Sequence, residues 1–148
     1  MLLFNPSAYD AAHYDEPTRD ALLAVRRFFE AKGHAVLKAE SHDAAWYEDF
    51  LTMIAREGIF ARFGTPAVVG TLTGGTDATT ARWDTARNND LSQLLAWYSL
   101  EHWYAWQVTV LGLGPVWTSG NGEARRLVGQ LLAQGGVFAF GLSEREHG

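Results

Sequence analysis

Apolar residues along this chain recur mainly three and four positions apart, the spacing of one helix face rather than of a strand. Leu22, Val25 and Phe29 carry the first such stripe, and Leu23 and Phe28 widen it. Asp15-Glu16-Pro17 opens this helix, because a first-turn amide has no intrahelical acceptor and proline loses nothing there. Gly33 is its expected stop, since glycine enters the left-handed conformation cheaply. A short helical continuation follows over about Ala35 to Glu40. Ser41 or Asp43 is placed to cap the next helix, which carries Trp46, Phe50, Met53 and Ile54 and ends near Gly58.

The stretch from Gly64 to Thr80 is rich in glycine and threonine and holds Pro66, so it reads as an irregular connection. Periodicity resumes from Asp84 to Gly112, as two helices or one with a bend. Leu91, Leu94, Leu95 and Tyr98 support the first half. Trp97, Trp103, Tyr104 and Trp106 make the second half apolar nearly all round, the pattern of a helix buried in a larger assembly. Gly112-Leu113-Gly114-Pro115 reads as its end. Asn121 caps a further helix, with Glu123 in its first turn and Leu127, Val128, Leu131 and Leu132 inside. After Gly135-Gly136 the composition of Val137 to Leu142 becomes strand-like. One strand has no ladder partner, so this segment reads as the first strand of a sheet lying beyond the chain. The fold class is thus all-α, a helical bundle over 1–135, with the start of a β-domain at 136–148.

Composition narrows the chemistry. A chain of 148 residues suits one domain or a piece of a larger protein, and its apolar content supports a packed core. The net charge of −5 argues against a nucleic-acid footprint, which needs clustered Lys and Arg; Arg26-Arg27 and Arg125-Arg126 read as solvated helix faces. The absence of cysteine excludes disulfides, thiolate metal sites and a cysteine nucleophile. The first residues lack the basic region and apolar run of a signal peptide, and nothing is long enough to insert into a membrane. Cytoplasm is the expected compartment.

Several motifs fail on inspection. Gly112-x-Gly114 resembles half a dinucleotide fingerprint, but Trp117 takes the third glycine's place and a helix precedes it. The histidines at 13, 34, 42, 102 and 147 include no i, i+4 pair that could face one metal, and Glu144, Glu146 and His147 read as a solvated acidic turn. Glu101 and His102 could transfer protons; the plainer reading is a polar pair on the less buried side of an aromatic helix. The aromatic residues from Trp97 to Trp106 read as core packing or as the wall of an apolar ligand site.

The last third of the chain adds a resemblance. Trp-Tyr-Ala-Trp-Gln-Val-Thr-Val-Leu-Gly-Leu-Gly-Pro from Trp103, then Ser-Gly-Asn-Gly-Glu-Ala-Arg-Arg, then Gly-Gly-Val-Phe-Ala-Phe-Gly-Leu-Ser-Glu follow one another in order. They resemble the acyl-CoA dehydrogenase pattern: a buried helix ending in Leu-Gly and Pro, a Gly-Asn turn into a basic helix, and a strand reading Ala-x-x-Leu-Thr-Glu-Pro. The rest of the chain is similar in helix order. The resemblance implies an FAD-dependent enzyme that desaturates an acyl-CoA thioester between its α and β carbons. In such enzymes a helical domain precedes a flavin-contacting β-domain, and a second helical domain follows.

By position, Phe140, Leu142 and Ser143 would meet the flavin, with the Ser143 hydroxyl replacing the family's threonine as a donor. Arg145 stands where the family has proline, and Glu146-His147 replace small residues. Trp103, Tyr104, Gln107 and Leu111 match positions lining the acyl pocket, where the bulk of Trp103 and Tyr104 would shorten or reshape it. No Asp or Glu matches the family's catalytic carboxylate, so no catalytic residue and no metal ligand is assigned, and the chain alone should not turn over substrate. The implied partners are an acyl-CoA, an electron-transfer flavoprotein and further copies of the complete enzyme. Two alternatives stand beside this: a helical interaction module or partner subunit without catalysis, and a relative on the same scaffold with altered chemistry, such as an oxidase or monooxygenase.

Overall fold

The computed structural model describes residues 5–43, 46–66 and 84–141. Among them a short 3-10 turn, Pro6–Ala8, precedes seven α-helices: α1 Glu16–Lys32, α2 His34–Glu40, α3 Glu48–Arg56, α4 Ile59–Gly64, α5 Thr85–Tyr98, α6 Leu100–Thr118 and α7 Gly122–Ala133. No strand occurs among the described residues.

The helix boundaries follow local chemistry. Asp15 caps α1 by accepting from the Thr18 amide at 2.8 Å, and Pro17 sits in the first turn. Gly33 ends α1 at φ 77° and starts α2 directly. Asp84 caps α5 through the Arg87 amide, Ser99 caps α6 through the His102 amide, and Asn121 caps α7 through the Ala124 amide. The predicted break between Asp84 and Gly112 is Ser99, whose extended backbone turns α5 into α6.

Three expectations need correction. Neither Ser41 nor Asp43 caps α3, which starts at Glu48 without a side-chain cap; the Ser41 hydroxyl instead donates to the Lys38 carbonyl and closes α2. Gly112-Leu113-Gly114-Pro115 does not end α6, which continues to Thr118 with Pro115 inside. The exposed Pro115 removes one amide donor near the C-terminus, where the following turn is held by the Ser119 amide bonding to Pro115 and Val116 carbonyls. Val137 to Gly141 forms no strand, because no strand among the described residues offers its backbone a ladder.

Six-residue α4 sits at the centre. It contacts α3, α5, α6 and α7, and Ile59, Phe60, Phe63 and Gly64 are all buried. A Cβ on Gly64 would lie 2.9 Å from Leu113 Cδ1, so glycine allows α4 to reach α6. The Trp117 indole fixes the same approach by donating to the Gly64 carbonyl at 2.8 Å. On the other side α1 packs against α5, and Tyr9 ties the amino-terminal turn down through its hydroxyl to Asp90 at 2.8 Å.

Candidate functional site

Helix α6 has two apolar faces. His102, Trp106, Thr109, Leu113 and Trp117 form the buried one. At about 100° per residue, Trp103, Gln107, Leu111 and Tyr104 share an arc of about 100° turned away from it. The structure therefore brings the four sequence-predicted pocket residues to one side of one helix. Tyr104 is 60% exposed and Leu111 is also exposed; Gln107 and Trp103 are half-buried, Trp103 at the flank against the core. Leu100, 66% exposed, falls in the same arc at the amino-terminal end.

The segment after α7 lies against this helix. The Phe138 amide donates to the Thr109 hydroxyl oxygen at 3.4 Å, and the single proton of that hydroxyl lies between the Ala105 carbonyl at 2.9 Å and the Phe138 carbonyl at 3.3 Å. At Gly112 a Cβ would sit 2.8 Å from the Ala139 carbonyl oxygen, so only glycine lets the segment approach this closely. Gly112 thus serves contact rather than helix termination. Of the three predicted flavin-contacting residues, Phe140 is 45% exposed beside this seam, and Leu142 and Ser143 lie outside the described residues. Gly112→Ala is expected to raise the fast motion of 137–141 while α6 stays helical, because alanine is the better helix former by about 1 kcal/mol. Amide relaxation checks this; unchanged order in 137–141 would show that the close approach does not hold the segment.

The third feature was hidden in the sequence reading. His102 is buried, only 3% exposed, rather than on the less buried side of α6. Its ring meets Phe29, Trp46 and Phe50 edge-on at centroid distances of 5.1, 4.8 and 4.7 Å. The Ser99 hydroxyl donates to Glu101 Oε2 at 2.7 Å and lies 2.7 Å from His102 Nδ1. Since the hydroxyl has one proton and gives it to the carboxylate, Nδ1 carries the imidazole proton and Nε2 is left as a bare acceptor. Nε2 is buried and has no hydrogen-bond partner among the described residues. Burial, then the nearby Lys32 charge, push the His102 pKa down to about 4. The Ser99 hydrogen bond holds the Glu101 carboxyl below its usual range. Helical phase would have revealed this burial: His102 precedes Trp106, Thr109 and Leu113 at steps of four, three and four.

This trio differs from a nucleophilic triad. In a triad the carboxylate orients the imidazole, and the imidazole takes the hydroxyl proton. Here the carboxylate holds the serine proton, and the imidazole is too weak a base near neutrality to take it. The arrangement therefore fixes the α5–α6 elbow. Nearby, Lys32 bridges Glu40 and Asp49 at 2.5 Å each; burial opposes its charge, but the two carboxylates prevail and raise its pKa. Among the described residues no cluster of three potential metal ligands forms, and no helix is long and apolar enough to cross a membrane.

No family model, no curated protein and no solved structure matches this chain.

Proposed function

We propose that this chain is the amino-terminal helical part of an FAD-dependent acyl-CoA dehydrogenase, an oxidoreductase acting on the α,β C–C bond of an acyl thioester. In this reading 1–135 is the helical domain and 136–148 begins the flavin-contacting domain. The outer face of α6, with Trp103, Tyr104, Gln107 and Leu111, walls the acyl chain. Phe140, Leu142 and Ser143 meet the flavin, which accepts the hydride. The catalytic carboxylate and most of the flavin site belong to the remainder of the enzyme, and an electron-transfer flavoprotein would reoxidise it as a homo-oligomer.

One observation carries the reading. The second apolar face of α6 is left uncovered, and the segment that carries Phe140 lies against the same helix at Thr109 and Gly112. A helix apolar on both sides is suited to burial by a ligand or by further protein.

The test is the product of the reading frame extended past Gly148, purified with bound FAD. Adding acyl-CoA is expected to bleach the visible flavin absorbance, and Trp103→Ala is expected to shift kcat/KM toward longer acyl chains. Absence of bleaching with every chain length would sink the reading; an unchanged chain-length profile would remove Trp103 from the pocket wall. Leu127 and Leu131, one turn apart and exposed on α7, favour the alternative of a helical interaction module, since the acyl wall makes no use of them. A stop codon directly after Gly148, with a copurifying partner covering α7, would select it.

A further inference from the structure

A concavity of about 320 Å³ lies between α2 and the α5–α6 elbow, lined by Leu37, Lys38, Trp97, Leu100 and Glu101 among others. It runs into a second hollow of about 340 Å³ that shares Leu37, Trp97 and Tyr98. Each hollow alone is at the small end of ligand sites, which begin near about 300 Å³. Leu37 is buried at its floor, while half-exposed Trp97 and the largely exposed Leu100 present apolar surface at its rim.

The charges around the groove are unequally committed. Glu30 is engaged by Arg26 at 3.6 Å and by the Tyr98 hydroxyl. The cationic Lys38 side chain makes no ion pair or hydrogen bond with the described residues. Glu101 receives the Ser99 hydroxyl on Oε2, and Oε1 retains acceptor capacity. One available cation and one available anion thus border an apolar floor. We propose that this groove binds a small zwitterion with an apolar body, of the class of an apolar amino acid. Its carboxylate meets Lys38, its ammonium meets Glu101, and its side chain lies between Leu37, Trp97 and Leu100. This site is independent of the acyl-CoA dehydrogenase reading.

The experiment titrates the purified chain with phenylalanine, N-acetylphenylalanine and phenylalanine amide, following backbone amide shifts. Phenylalanine is expected to move 34–41 and 97–101 saturably, and to bind about two- to fivefold more tightly than either capped form, the range for partly exposed ion pairs. Lys38→Gln should abolish the difference between phenylalanine and its amide alone. Glu101→Gln should abolish the difference from the acetylated form alone, because the glutamine carbonyl still accepts from Ser99. Equal binding of all three probes, shifts confined to other regions, or variants that leave both differences intact would each overturn the proposal.

Discussion

Trp106→Ala is expected to cost about 3–5 kcal/mol of folding stability, the largest loss from any single truncation in this core. Trp106 is 1% exposed and lies on the buried face of α6, with its ring 4.9 Å from that of Phe60 on α4. A Cβ on Gly64 would be 3.8 Å from the Trp106 Cη2, so the indole fills the seam where α4 meets α6. Neighbours can close that space only by moving α4, and α4 also contacts α5 and α7. Dispersion contacts and apolar burial are therefore lost together. Urea unfolding checks the value, and Trp106→Phe should lose clearly less. A loss below about 1 kcal/mol on truncation to alanine would show that the seam collapses freely and that α4 is not a packed centre.

Periodicity made α1, α5 and α7 readable because each joins a regular stripe to a local signal: Asp15 and Pro17, Asp84, and Asn121 with Gly135. Short α4 escaped because six residues are too few to display a period, and all four of Ile59, Phe60, Phe63 and Gly64 are buried. Its identity comes from tertiary contact, which makes a glycine useful inside a helix. Gly112 misled for the same reason. Its missing Cβ admits the Ala139 carbonyl from a segment 27 positions away, and local reading takes glycine for a stop. Pro115 then reinforced the error, although a proline one turn from a helix end removes little.

The candidate site was legible to different degrees. Trp103, Tyr104, Gln107 and Leu111 share a face by helical geometry alone, and the exposure of Tyr104 and Leu111 adds that this face is uncovered. His102 was misread because its neighbour Glu101 is charged and exposed, and adjacent helical residues point about 100° apart. Ser99 supplied the missing signal, as a serine three positions before His102 at the helix start. Its hydroxyl joins the cap, Glu101 and the imidazole in one network, with consequences for stability.

Between pH 6.5 and about 4 the protein is expected to lose about 3 kcal/mol of stability through His102 alone. Unfolded, the imidazole takes up its proton near its ordinary value of 6.5; folded, it resists until about 4. The unfolded state therefore binds the extra proton throughout this window. Stability is full above 6.5, falls as the pH drops, and levels off below about 4 so far as this group is concerned. Burial among Phe29, Trp46 and Phe50 is the main cause, and Lys32 on α1 adds repulsion. Asp49 on α3, Glu101 on α6 and Glu40 on α2 oppose it without cancelling it. Chemical denaturation at several pH values, compared with His102→Leu, isolates the effect because the other histidines remain. The variant's stability should fall much less across the window, while NMR of the parent places the His102 transition near 4. Parallel stability curves for the two proteins, or an imidazole titrating near 6.5, would mean that His102 is solvated and that the aromatic box does not close around it.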